Sequence, residues 1–150
     1  MSGSTRASTR IGLRLAQVLG ALWASPVTLL GLAAGLLAWP MGARPALSDA
    51  ALVFHHFPLG PGGAITLGNV ILHTGASLDE VARTYACRAG GSDERVRIGD
   101  HERAHVYQYL ALGPLFLPLY LFCGGVSARN RFERAADRYA LTGRGWWPWP

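Results

Sequence analysis

Two short stretches lying far apart in the chain place the tightest limits on its fold: His101-Glu102-Arg103-Ala104-His105 and Glu133-Arg134-Ala135-Ala136-Asp137. On a helix, residues four apart share a face, so His101 and His105 aim their imidazoles at one point. Glu102 stands one step round the helix, close to that point without being aimed at it. A catalytic zinc ion takes three protein ligands and keeps one position open, so two histidines ask for a third donor. Glu133 supplies it. Asp137, four residues on, can accept a hydrogen bond from the free ring nitrogen of a ligating histidine and so fix its tautomer. The chain holds only 9 acidic residues, and an i,i+4 acidic pair following the histidine motif is what a metal site needs. The plainer alternatives are an exposed helical turn with an incidental histidine pair, and acidic residues that merely face Arg129, Arg134 or Arg138.

That site constrains the segment within it. Leu110–Val126 is 17 residues without a charge, and hydropathy alone reads it as a membrane span. Yet His105 and Glu133 must each lie about 2 Å from one ion, whereas a spanning helix leaves its ends on opposite sides of a core about 30 Å thick. Residues 110–126 must therefore turn back, and Gly113, Pro114, Pro118, Gly124 and Gly125 supply the breaks. The expectation is an apolar hairpin that packs on another apolar segment or dips into lipid, the alternative being that it is simply the protein's own core. The Trp-rich tail, residues 143–150, favours the membrane reading because Trp prefers the interface.

A second apolar run lies near the N-terminus. Residues 1–14 are polar and expected to be a disordered tail. Leu15–Trp39 then runs 25 residues without a charge, about 37 Å as a helix, long enough to cross a bilayer with tilt. Ala43-Arg44-Pro45-Ala46 is a poor cleavage site, so 15–42 reads as an uncleaved membrane segment. Ser25-Pro26 either kinks one transmembrane helix or separates two half-length helices that re-enter. Arg6, Arg10 and Arg14 place the N-terminus in the cytoplasm. The functional domain then lies outside the cytoplasm if the helix crosses and inside if it re-enters.

Residues 43–142 make up the functional domain. Ala51–Phe57 and Ala64–Leu72 are rich in β-formers and flank Pro58–Gly63, which predicts a β-hairpin or small antiparallel sheet. Ser77–Glu80 has the form of a capping box, with Leu78, Val81, Ala82, Tyr85 and Ala86 following at helical spacing. A loop over 90–99 with a short strand near Arg95–Ile98, and helices over about 101–112 and 130–142, complete an α+β fold in which the two motif helices pack together.

The net charge of +5 comes from 14 arginines and no lysine. Scattered arginines without a basic helix face or stacking aromatics exclude a nucleic-acid partner and suit anionic lipid. The same Arg-, Ala- and Gly-rich composition suggests a bacterial source, hence a bacterial membrane, the inner one. Cys87 and Cys123 have no CxxC partner and read as free thiols. His55, His56 and His73 read as solvated strand and loop residues, and Tyr107 and Tyr109 as core or interface.

His101–Gln108, the following Leu112–Leu121 and Asn130–Ala140 resemble small bacterial membrane-associated proteins of the gluzincin type. More distantly they are similar to minigluzincins and to membrane zinc peptidases that process prenylated or misfolded proteins. The resemblance covers about Ala64–Ala140 and has the metal motif as its specific core. It implies Zn²⁺ on His101, His105 and Glu133, Glu102 as base, Asp137 behind the ligands, and an edge strand binding substrate along Ala64, Ile65, Thr66, Leu67 and Gly68. The chain lacks the extra helical region of full-length peptidases, and no His or Arg matches their transition-state stabiliser.

Two functions follow as expectations. One is a membrane-associated zinc metallopeptidase acting on a peptide or protein substrate, with Glu102 taking the proton of a water activated by the metal. The other is a zinc-stabilised membrane scaffold or binding protein without turnover. They differ in whether a cleft stays open beside the ligands.

Overall fold

A computed structural model of the chain describes residues 2–48 and 51–150. A long helix α1 (Ser2–Ala38) leads through a 3₁₀ turn into strands β1 (Arg44–Ser48), β2 (Ala51–His55), β3 (Ala64–Leu67), β4 (Val70–His73) and β5 (Val81–Arg83). Helix α2 (Tyr85–Arg88), strand β6 (Arg95–Arg97), and helices α3 (Ile98–Leu112), α4 (Phe116–Phe122) and α5 (Arg131–Thr142) follow. The fold is α+β, with a mixed four-stranded sheet in the order β1-β2-β4-β3 and a separate β5-β6 pair.

The sheet is clamped between α1 and α3, and side-chain alternation shows how. Phe54, Val70 and Leu72 point to the α1 side, where they join Ala38 and Ala43. Val53 and Ile71 point the other way and join Val106 of α3. Successive strand residues face opposite sides, so β2 and β4, apolar at nearly every position, can fill both cores.

Four elements depart from the sequence expectations. Helix α1 starts at Ser2, where a disordered tail was expected. Once a long helix is nucleated, each added residue gains a hydrogen bond without a new nucleation cost, and Ala and Arg are good helix formers. The helix also runs unbroken through Pro26, which removes the two-helix re-entrant alternative. Next, the expected hairpin of 51–57 with 64–72 is replaced. Residues 64–72 are themselves a hairpin, β3 and β4 pairing antiparallel about Gly68-Asn69, and β2 pairs with β4 in parallel. Gly68 has φ +64°, which a two-residue hairpin turn requires and which glycine adopts at no steric cost. Strand β1, absent from the sequence reading, pairs antiparallel with β2.

Finally, the expected helix over 78–86 is a turn and a strand. The capping-box contacts do form, since Glu80 Oε1 accepts from the amides of Ala76 and Ser77 at 3.0 and 3.2 Å. They close a turn instead of a helix, because Val81–Arg83 pairs with Arg95–Arg97. Tertiary pairing overrides a weak local propensity. The expected short strand near 95–98 is thus present as β6.

Residues 110–126 turn back, as the metal argument required. Gly113 ends α3 with φ +55°, and a Cβ there would lie 2.4 Å from Trp23 Nε1. The return is fixed by buried Asn130, whose Nδ2 donates to the carbonyls of Tyr120 and Gly125 and whose Oδ1 caps α5 at the Phe132 amide.

Small residues let α1 approach the domain closely. A Cβ on Gly35 would lie 2.2 Å from the Phe54 ring, whereas one on Gly12 would meet nothing within 4 Å. Gly35→Ala should therefore destabilise the fold by about 1–3 kcal/mol through overpacking, with Gly12→Ala neutral or slightly stabilising. Thermal unfolding of both variants in the same detergent checks this, and equal melting temperatures would show that α1 is not seated as described.

Candidate metal centre

Helices α3 and α5 lie face to face and carry the two motifs inward. His101, His105 and Glu133 are all buried, and one donor atom from each lies within 4.8 Å of the others. His101 Nε2 and His105 Nε2 are 3.2 Å apart, and they stand 3.0 and 3.3 Å from Glu133 Oε2. Three side chains aimed at one small volume, two imidazoles and a carboxylate, form a donor set that can hold a metal ion. The chemistry of these donors suits a borderline divalent cation.

Each donor is held from behind. Asp137 Oδ1 lies 2.9 Å from His101 Nδ1, and Asp137 Oδ2 accepts from the Tyr85 amide at 2.9 Å. Gln108 Oε1 accepts from His105 Nδ1 at 2.8 Å, while its Nε2 donates to the carbonyls of Phe132 and Trp146 at 3.3 and 2.8 Å. The Tyr120 hydroxyl donates to Glu133 Oε1. These bonds leave the Nε2 atoms of both histidines and Oε2 of Glu133 pointing at the shared volume. Glu102 is buried next to them outside the ligand group, its Oε2 accepting from the Thr66 hydroxyl at 2.6 Å.

A cavity of about 350 Å³ opens at this point. His101, Glu102, His105 and Glu133 form its polar floor; Ala64, Ile65 and Thr66 of β3 form one wall, and Phe116, Leu117 and Tyr120 the opposite one. Strand β3 ends the four-stranded sheet, so among the described residues its outer edge has no strand partner. Of the five positions expected to bind substrate, Ala64, Ile65 and Thr66 reach the cavity. Leu67 packs into the apolar core, and Gly68 turns against Thr28 of α1, because the strand ends at the hairpin turn.

Sequence reading missed Gln108, Tyr120, Tyr85 and the link from Thr66 to Glu102. Gln108 lies one residue short of a full turn beyond His105, so its position on the motif helix was an available signal. The others depend on tertiary contacts. His55, His56 and His73 stay outside the ligand group, but His73 is fully buried at the end of β4 and not solvated as expected. His55 and His73 face each other, with Nδ1 atoms 3.2 Å apart, and burial holds both below the usual histidine range. Tyr109 lines the cavity and its hydroxyl is buried without a hydrogen-bond partner. Both cysteines are free thiols.

Electrostatics follow from this geometry. Burial opposes charging His101, but hydrogen bonds to Asp137 and Glu133 outweigh it and raise its pKa to about 10. Burial likewise opposes ionising Glu133, and the hydrogen bonds from His101 and His105 win and hold its carboxyl well below the usual range. Without a metal ion, His101 is an imidazolium bridging two carboxylates.

Compared with known proteins, the chain matches no family model, and no curated protein or solved structure is significantly similar to it.

A metal must displace the His101 proton, which sets two expectations. The raised pKa stabilises the metal-free fold fully below 6.5 and is lost as pH rises through about 10. The depressed Glu133 contributes fully above 4.5 and is lost as pH falls. Metal-free protein should thus melt highest near pH 6.5, because below it the lowered pKa values of buried His55 and His73 cost the fold stability. Zinc uptake near neutral pH should release about one proton per ion, measured by calorimetry in buffers of different ionisation enthalpy; uptake without proton release would refute the imidazolium. Asp137→Asn should weaken divalent-cation binding by about 10–100-fold, measured in a chelator competition with zinc as the probe.

Proposed function

We propose that the protein is a membrane-associated, zinc-dependent metallopeptidase. The observation that carries the reading is the convergence of His101, His105 and Glu133 at the floor of an open cavity, with buried Glu102 beside them. Zinc, when bound, supplies an electrophile that lowers the pKa of water to about 7 and polarises a carbonyl. The chain's own residues do the rest. An extended peptide adds to the outer edge of β3, its backbone amides and carbonyls taking the hydrogen bonds that edge offers. This lays a scissile carbonyl over the ligand cluster. Glu102, outside the ligand set and held by Thr66, takes the proton from the attacking water and passes it to the leaving amine.

The scaffold reading predicts a closed site with a fourth protein ligand. The group among the described residues contains three, and the space beside it is open, which supports turnover. The outer faces of α1 and of residues 115–126 support a membrane location. Gly12–Met41 is long and apolar enough to cross a membrane, with a mean hydropathy of 1.7, and only 28% of its apolar window is buried. Leu121, Phe122 and Val126 are 68%, 90% and 75% exposed. The Arg-rich composition fits a bacterial inner membrane.

Glu102→Gln should keep zinc and lose hydrolysis by about 10²–10⁴-fold, because the amide keeps shape and hydrogen bonding but is no base at neutral pH. His101→Ala should lose the metal. The measurement is zinc content together with cleavage of an unfolded protein substrate in detergent and in liposomes. If wild type holds zinc and cleaves nothing in either medium, the scaffold reading replaces this one.

A further inference from the structure

The way α1 is seated bears on how the chain meets lipid. Among the residues whose burial is described, its buried positions are Gly20, Ala24, Val27, Gly31, Gly35 and Ala38, a single stripe three or four residues apart. Every one of them touches or clusters with the domain: Gly20 at Leu110, Gly31 at Leu67 and Val70, Gly35 at Phe54, and Ala24 and Val27 with Tyr109, Phe116 and Phe132. The domain therefore lies alongside α1 over about 27 Å at 1.5 Å per residue, rather than beyond its end. The charge-free part of the helix that is clear of the domain, Leu15–Leu19, is only about 7 Å long by the same rise, too short to cross a core of about 30 Å.

A crossing helix would thus carry the domain into the hydrocarbon with it. Residues of α5 make that untenable. Phe132 shares the buried cluster of Ala24 and Val27, in the middle of the apolar run, while Arg131, Arg134 and Arg138 on the same helix are exposed. Crossing would draw those exposed arginines toward the hydrocarbon, where charge is costly. Laid flat, the helix meets no such conflict. Its outward faces carry Leu19, Leu22, Leu29, Leu30 and Leu37, each at least 63% exposed. No charge interrupts this surface between Arg14 and Arg44. Arg10 and Arg14 at one end and Arg44 at the other are exposed, placed to reach anionic headgroups. Phe122 and Val126 extend the same apolar character beside the cleft, which Val126 lines.

We infer that α1 lies in the plane of the bilayer surface as a monotopic element, with the domain on its aqueous side and both ends of the helix on one side of the membrane. The inference rests on the membrane reading above and replaces a crossing with in-plane insertion.

The test is two-sided thiol labelling. Arg10→Cys and Arg44→Cys are made singly in a Cys87→Ser/Cys123→Ser background and expressed in bacteria. A membrane-impermeant maleimide is applied to spheroplasts and to inverted inner-membrane vesicles. Both positions should label in the same preparation and be protected in the other. Labelling of one position in each preparation would establish a crossing and overturn the inference while leaving the membrane reading intact. Recovery of the chain in the soluble fraction after lysis, as a monomer or with this face covered by a second copy, would overturn both. Zinc content reports the folding of each variant, and Gly12→Cys with Met41→Cys, both at exposed positions, form the second pair should either arginine variant fail to hold zinc.

Discussion

Bringing two imidazoles and two carboxylates together out of water is the constraint on which the rest of the molecule depends. Each buried charge costs several kcal/mol unless its partners satisfy it. Here nearly every atom of the cluster has a partner from another element. Asp137 reaches the Tyr85 amide of α2, Gln108 reaches the carbonyl of Trp146 in the C-terminal tail, and Tyr120 of α4 reaches Glu133. Breaking any one contact exposes a buried polar group, so α2, α4 and the tail are tied to the spacing of α3 and α5. The tail's tryptophans are drawn into this frame: Trp149 packs edge-to-face with Phe132 and Trp146 with Tyr107.

The same frame joins α1 to the candidate metal group. Ala24 and Val27 of α1 share a core with Tyr109 of α3, Phe116 of α4 and Phe132 of α5. Phe132 precedes ligand Glu133, and the Phe116 ring stands 6.0 Å from that of His105. A helix that served only as a tether would be joined through a linker and share no core. Here α1 supplies one face of the domain, and removing it would uncover Phe54, Val70 and Leu72 as well. Its apolar outer surface and its packed inner stripe are therefore two sides of one structural element. Small residues at the inner stripe allow helix and sheet to approach at backbone distance.

How much of this was legible in the sequence follows from the range of the interactions. His101, His105, Glu133 and Asp137 were readable because helical spacing alone sets their faces, and the turn-back of 110–126 followed from requiring both motifs at one ion. Helix ends at Gly113 and Gly143 were readable from local backbone chemistry. The sheet was not. Gly68-Asn69 is a two-residue turn signal, but it sits inside an apolar run whose composition reads as one strand, and only the pairing of β2 with β4 decides the matter. Ser77–Glu80 forms the local contacts its pattern promises, yet whether a helix follows depends on β6, more than ten residues away. Asn130 carries no motif, although its three hydrogen bonds fix the angle at which α5 returns.

The placement of Glu102 bears on what the cluster is for. A structural metal site gains from closing its ligand shell and from having no further buried acid nearby, since each extra carboxylate there adds desolvation cost without holding the ion. In this chain a carboxylate is buried beside the three donors, outside the ligand set, oriented by Thr66 of the strand that borders the cavity. That strand is also the sheet edge with backbone groups free to pair with an extended chain. On the proposed reading, Thr66 would couple the base to the strand that positions a peptide through one 2.6 Å hydrogen bond. The proposal also accounts for the stability given up by leaving a cavity and a buried acid next to the donor group, a cost of the kind that folds retain where chemistry requires it.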